Sequence, residues 1–275
     1  MPFPYTVYSN FELGPNASIG GVHPGWDSES DTGALLDVAH YSVLAGMPYG
    51  SAAPYRGAYC LRGRLGDTND HALTEGSVDI ASASWGWFRW YLNVVELSTT
   101  AQDIFPILEL QSPTSNTVRT GVFLRSDFVG GATTYYQIGV GGNQGGAVWT
   151  GPQLQTNRWY ALELSAKPAN LPGEGDNLGR QDNGAATLYI EGTTLVATSA
   201  IIMTGGADAT IGQAILGTQD TVATTTGTIL FDEFVFDGGV AGSQNRRIYP
   251  ITTERFSETV ELIATAHAFV GSGVI

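Results

Sequence analysis

The chain has 275 residues and carries 12 Lys+Arg against 26 Asp+Glu, a formal net charge of −14. Only 14% of its residues are charged while 43% are hydrophobic, so its surface is built from Thr, Ser, Asn, Gln and Gly rather than ions, against the ~25% charged residues of an ordinary soluble domain. That balance excludes a nucleic-acid binder, which needs clustered cations to replace counterions, and an anionic membrane surface as partner. No apolar run approaches the ~20 residues of a spanning helix. The opening MPFPYTVYSN has neither a basic start nor an apolar core, so no secretory signal is expected. Cys60 stands alone and cannot form an intrachain disulfide. The length suits one large all-β domain.

Period-two alternation recurs along the chain, broken by Gly, Asn, Asp and Thr clusters, and no convincing helical period appears. Residues 1–30 read as a strand and a Gly/Pro/Asn-rich loop reaching Trp26. In ALLDVAHYSVLA (34–45), Val38, Tyr41 and Val43 favour a strand over a short helix. PYRGAYCLRGRL (54–65) reads as a strand with Tyr59 and Leu61 on opposite faces. SWGWFRWYLNVVEL (84–97) is the clearest long strand. Its apolar face is Phe88, Trp90, Leu92 and Val94, and its aromatic and polar face includes Trp85, Trp87, Arg89, Tyr91 and Asn93.

IFPILELQS (104–112) and VRTGVFLRS (118–126) are expected to form a hairpin. TTYYQIGVGG (133–142) sets Tyr136, Ile138 and Val140 on one side, with Tyr135 and Gln137 on the other. RWYALELSA (158–166) follows, then a polar Gly/Pro loop over 167–184, then the hairpin AATLYIEGTTLVATS (185–199). DATIGQAILGT (208–218) and TGTILFDEFVFDGG (226–239) close the series. The spacing is that of a sandwich or barrel. After Gly242 the texture changes, and residues 243–275, following a body of residues 1–242, read either as a C-terminal arm that adds a strand to its own sheet or to a neighbour's or as an ordinary last strand with a frayed end.

The stretch 156–239 resembles the second half of a concanavalin-like, laminin-G-like jelly roll. TNRWYALELSA resembles that family's strand built on a Trp, GAATLYIEGTTL its hairpin, ADATIGQAILGT the strand after it, and TGTILFDEFVFDGG its closing strand. The resemblance implies an all-β, antiparallel two-sheet jelly-roll sandwich, here with an extended C-terminal arm. Such sandwiches include lectins, glycosidases, lyases, adhesion modules and virion proteins, so the fold does not select among them.

Glucanase-type members need three acidic residues at alternating positions on one strand. FDEFVFD instead sets Asp232 and Glu233 on opposite faces with Asp237 further on, and Glu96 and Glu109 each stand alone on their strands. TYYQIGVGGNQ resembles the YFKAGVYNQ strand of alginate lyases, yet that family's catalytic Tyr falls on Gly in GVGGNQ. Its Gln-x-His pair would need His at Gly139, and its arginine strand is matched only by LRSDF, which ends on Asp127 and Phe128. The catalytic set is therefore expected to be absent. His23, His40, His71 and His267 lack ligand spacing and read as surface or loop residues. The oxygens of DTND (67–70) and EGDNLGRQDNG (174–184) read as Asx turns rather than a calcium site. No metal or cofactor is expected.

Trp85, Trp87, Arg89, Tyr91, Tyr135 and Gln137 are expected on one outward sheet face, which is either covered by the first 80 residues or by loops, or else open to a protein partner or a glycan. The arm resembles the ends of tailed-phage virion proteins, and its anchors would be Arg246, Arg247, Tyr249, Phe256 and Phe269. That resemblance implies a non-enzymatic virion protein, a capsid decoration or cement protein. It would assemble in the host cytoplasm as a homo-oligomer and bind the major capsid protein or other virion proteins. Two alternatives are a carbohydrate-binding module of a tail fibre or adhesin, and a polysaccharide lyase or glycoside hydrolase.

Overall fold

The computed structural model describes residues 7–9, 11–12, 26–31, 35–44, 53–75, 85–99, 103–111, 118–126, 131–133, 135–142, 147–167, 184–194, 199–201, 211–219, 221 and 224–239. In chain order the strands are β1 (Val7–Ser9), β2 (Ser28–Asp31), β3 (Leu36–His40), β4 (Tyr59–Leu65), β5 (His71–Glu75) and β6 (Trp85–Thr99). Then come β7 (Ile104–Gln111), β8 (Val118–Ser126), β9 (Gly131–Thr133), β10 (Tyr135–Gly141), β11 (Leu154–Gln155) and β12 (Trp159–Lys167). The last are β13 (Gly184–Ile190), β14 (Thr193–Thr194), β15 (Ser199–Ile201), β16 (Gln213–Thr218) and β17 (Thr226–Gly239). One helical turn, α1 (Tyr41–Leu44), follows β3.

The strands form two antiparallel sheets. The first runs β14-β13-β12-β6-β17-β4-β3, with β1 and β15 extending β17 and β13 and β9 pairing with β6. The second runs β11-β10-β8-β7-β16-β5-β2. The fold is therefore the expected all-β, two-sheet jelly-roll sandwich. Residues 243–275, with the proposed anchors Arg246, Arg247, Tyr249, Phe256 and Phe269, lie outside the described residues.

The apolar side of each strand faces the other sheet. Phe88, Trp90, Leu92 and Val94 of β6 and Leu162 and Leu164 of β12 pack in one core with Leu108 and Leu110 of β7, Val122 and Leu124 of β8, and Tyr136, Ile138 and Val140 of β10. Area removed from water stabilises such a core by about 25 cal/mol per Å². The 104–111 and 118–126 segments pair antiparallel as expected.

Two irregularities let an imperfect pattern fit this core. In β17, Phe231, Phe234 and Phe236 all pack inward, although 231 and 234 differ in parity. A register shift between Asp232 and Val235 absorbs the extra residue, and Glu233 takes a left-handed backbone with φ 52°. In β7 a shift between Pro106 and Leu108 places the proline at a bulge, where its missing N–H disrupts the ladder least.

The structure corrects two local expectations. Tyr59 and Leu61 share a face and both pack on the main core, because residues two apart in a strand point the same way. Residues 34–45 are not one strand: β3 ends at His40, and α1 leaves Tyr41 and Val43 exposed while burying Leu44.

The outward face of the first sheet is covered by the segment before β4. Ala39, Leu44, Cys60, Val95 and Leu230 make a second apolar cluster with Trp159 against it. Tyr55 stacks on Tyr91 with ring centroids 3.6 Å apart, and the Trp159 Nε1–H donates to the carbonyl of Ala53 at 2.8 Å. Asp232 Oδ2 accepts from the Arg56 N–H at 3.0 Å, and Asp232 Oδ1 accepts from the Glu233 N–H at 2.8 Å. Burial pushes the Asp232 carboxyl well above the usual carboxylate range, and those two backbone donors offset the rise only in part.

The folded state therefore holds the Asp232 proton more tightly than the unfolded chain does. Its contribution to stability is largest below the ordinary carboxylate value of about 3.9 and falls as pH rises through and above it. An Asp232→Asn variant lacks that titration. Thermal melts of both proteins from pH 4 to 7 should show wild type losing ground to the variant as pH rises; a constant difference would remove the buried-carboxyl account.

Candidate functional site

Trp87, Arg89 and Tyr91 do share the outward face of β6, and Trp85 opens that strand opposite Gly239. They do not form an open platform with Tyr135 and Gln137. Those two belong to β10 in the other sheet, on its outward face. Two outward faces on opposite sides of a sandwich cannot make one surface, so the expected six-residue face divides into two.

The first half is sealed. Trp87, Arg89 and Tyr91 are 9%, 6% and 5% exposed. Trp87 stacks on Tyr189 of β13, and Arg89 Nη2 donates to the Tyr91 hydroxyl at 2.6 Å. Burial pushes the Tyr91 phenol up against the opposing pull of Arg89. Glu163 of β12 lies directly across from Arg89 in register. Asp232 and Glu233 do not stand apart on opposite faces: both reach Arg56, through its N–H and through its guanidinium at 3.6 Å from Glu233. These polar groups hold the covering segment in place.

The second half is accessible. Tyr135 is 42% exposed, and Gln137, two residues on, shares its face. Arg125 of β8 is the register partner of Gln137. Its Nε and Nη2 both donate to Gln137 Oε1, at 3.0 and 2.5 Å. The guanidinium carbon lies 4.4 Å from the centre of the Trp149 ring, a cation–π contact worth roughly 0.5–1 kcal/mol at such a half-buried place.

Trp149 reaches Arg125 because the next outward position on β10 is glycine. Backbone hydrogen bonds between Val140 and Val148 pin the 147–150 segment along β10. A Cβ on Gly139 would stand 2.7 Å from Trp149 Cε3 and 2.9 Å from the Val148 carbonyl, so only glycine leaves room for the indole.

The same face continues toward β16. Gln213 Nε2 donates to Gln111 Oε1 at 2.6 Å, and Gln111 Nε2 donates to Glu109 Oε2 at 3.1 Å. Gly121 is the register partner of Glu109, and the Phe123 ring lies against that glycine. Glu109 and Gln111 are buried, at 7% and 9% exposed, so the accessible part of the face joins one guanidinium, the Gln137 and Gln213 amides, a phenol and the Trp149 ring, a set suited to holding a polyhydroxylated, anionic chain.

For this face the sequence reading named Tyr135 and Gln137, set aside Glu109 and the LRSDF string that holds Arg125, and did not name Trp149, Gln111 or Gln213. The signal for Arg125 was present, since alternation in VFLRS sends Arg125 outward beside the apolar Val122 and Leu124. Alternating Gly139 and Gly141 also marked close approach of another group. Two further expectations change. His71 is buried between Asp31 and Asp67 rather than on the surface. The Asp67 oxygens accept from Asn69 N, Asn69 Nδ2 and His71, the Asx-turn arrangement expected of DTND.

No protein-family model matches the chain, and no curated protein does. Solved structures do. The chain is similar to an endo-β-1,4-glucuronan lyase from the fungus Trichoderma reesei, with a TM-score of 0.54 and 12% identity over 86% of this chain and 96% of that one. It is also similar to an alginate lyase from Aplysia kurodai, with a TM-score of 0.52 and 8% identity over 86% of this chain and all, 100%, of that one. At these identities the likeness establishes the jelly-roll fold. The expectation of a non-enzymatic virion decoration protein is corrected by the same finding, since the two structures named are polysaccharide lyases.

A Gly139→Ala variant should push the indole off β10, destabilise the protein by about 1–3 kcal/mol as overpacking does, and shift Trp149 fluorescence. Unchanged emission and an unchanged denaturation midpoint would mean that the indole does not rest on this glycine.

Proposed function

We propose that the chain is a polysaccharide lyase that cleaves a uronate-containing polysaccharide by β-elimination on the open face of the second sheet. The observation that carries this reading is the meeting of Arg125, Gln137 and Tyr135 on one accessible face. The likeness of the fold to a glucuronan lyase and an alginate lyase supports it.

β-Elimination makes three demands. The sugar carboxylate must be neutralised so that its α-proton can leave, a base must take that proton, and the departing oxygen must receive one. Arg125 supplies the positive charge, and its hydrogen bonds to Gln137 hold the guanidinium in one orientation before substrate arrives. The amide nitrogen of Gln137 offers a further donor to the charge that builds on the carboxylate oxygens, where placed donors contribute most.

Tyr135 lies about 7 Å along the strand from Gln137, near enough for its phenolic oxygen to reach the carbon beside a bound carboxylate. It takes the C5 proton as the C4–O4 bond breaks and C4=C5 forms, and it returns the proton to the leaving oxygen. Proton and electron pair balance without a co-reactant. Trp149 presents a flat ring beside this centre, and Gln213 supplies a hydroxyl partner farther along the chain of sugars.

Purified protein incubated with glucuronan and with alginate should release unsaturated oligosaccharides, followed by their ultraviolet absorbance. Arg125→Ala should lower kcat/KM by about 10²–10³-fold, as loss of one placed charge-stabilising donor does. Tyr135→Phe should lower it about 10²–10⁴-fold, as loss of a general acid–base does, with circular dichroism unchanged in both. Absence of unsaturated product from any polyuronate, or full activity in both variants, would overturn the reading.

A further inference from the structure

The strongest unexplained group lies at the far edge of the same sheet. His71 opens β5 and is 1% exposed. Its Nδ1 is 2.8 Å from Asp31 Oδ1, and its Nε2 is 2.8 Å from Asp67 Oδ1. Asp31 Oδ1 also accepts from the N–H groups of Leu35 and Leu36 at 2.9 and 3.1 Å, and Asp67 Oδ1 accepts from the Asn69 N–H at 3.0 Å. Both oxygens are therefore placed as acceptors of several donors at once, which is what an ionised carboxylate does and a protonated one does poorly.

An acceptor at each end of the ring requires an N–H at each end. Neutral imidazole has one N–H and one lone pair, so one of the two contacts would set a lone pair against a carboxylate oxygen. Only the imidazolium satisfies both. We propose that His71 is held as the doubly protonated imidazolium and acts as a proton-dependent clasp across the seam where the chain passes from the second sheet to the first.

The placement gives the clasp its reach. Asp31 ends β2, and the two amides that it accepts lead into β3 of the other sheet. Asp67 lies in the turn between β4 and β5, and its carbonyl accepts from the Thr221 hydroxyl, beyond β16, at 2.8 Å. One ring therefore ties β2, β5, the start of β3 and the segment after β16.

From β2, Glu29 has its carboxyl pushed up, by burial first and then by Asp31. From the turn, the Asp70 carbonyl accepts from the Ser30 hydroxyl at 3.5 Å. From β16, Thr218 is the register partner of His71, and its Oγ1 is buried without a hydrogen-bond partner. The hydrogen bond from His71 is the first cause that holds the Asp67 carboxyl below its usual range.

The carboxylate side of the clasp is present at neutral pH and fades as pH falls through the lowered Asp67 value, which releases the β2–β3 crossing from its anchor.

Nitrogen-15 NMR of the histidine rings in the full chain tests this, with the His71 signals identified by their absence from a His71→Gln variant. Should that variant not fold, Asp67→Asn, which alters a partly exposed carboxylate, identifies the ring by its shift instead. Both His71 nitrogens should be protonated at pH 7. Amide exchange at Leu35 and Leu36, corrected for its intrinsic pH dependence, should speed up at least tenfold when the ring loses a proton. A single-protonated ring at pH 7, or exchange indifferent to the ring's state, would overturn the clasp. Neither outcome depends on the lyase activity.

Discussion

The structure depends on one packing constraint: two pleated sheets must each turn every second side chain toward the other. β6 and β17, the paired long strands at the middle of the first sheet, bear most of it. They bring Phe88, Trp90, Phe231, Phe234 and Phe236 into one interior, and Phe88 stacks on Phe236 with centroids 4.7 Å apart. Where the pattern slips by one residue, as at Asp232–Val235, the backbone bulges and Glu233 adopts a left-handed conformation. Left-handed backbone at a residue with a side chain costs roughly 1 kcal/mol or more. Leaving Glu233 to point into a Phe-lined core would cost considerably more.

The same alternation gives each sheet an outward face, and the two faces have been put to different uses. On the first sheet, charges and aromatic rings are paired, stacked and covered. Arg89, Tyr91, Asp232 and Glu233 hold the Tyr55 segment down, and buried ionic groups of this kind contribute geometry more than net stability. On the second sheet, Tyr135 is exposed and Arg125, Gln137 and Trp149 are half-buried beside it. Glycines at 121 and 139 allow Phe123 and Trp149 to lie flat beside them. An aromatic-rich strand is therefore poor evidence of a binding surface until its cover is known.

A shared jelly roll does not carry a shared reaction, since one sandwich hosts many chemistries. The lyase reading rests on side chains that the fold brings to one face, with the two polysaccharide lyases as support. Among the described residues, Asp232 and Glu233 of β17 anchor a covering segment through Arg56 instead of facing a cleft.

From the sequence alone came most of the longer strands and their inward faces, the acid-rich and ion-poor composition, and the hairpin of β7 and β8. Period-two alternation is a local property, legible without knowing what a strand packs against. For the same reason Tyr135 and Gln137 could be read as facing outward. Which sheet each strand joins is not local. Only the tertiary structure decided that Tyr135 and Gln137 stand behind the core from Trp87 and Arg89, that Arg125 meets Gln137, and that Trp149 comes from an irregular segment to rest over Gly139. His71 is the same case, because its burial comes from carboxylates 40 residues before it and 4 before it. A side chain's direction follows from its neighbours in sequence, whereas its partners follow from the pairing of strands far apart in the chain.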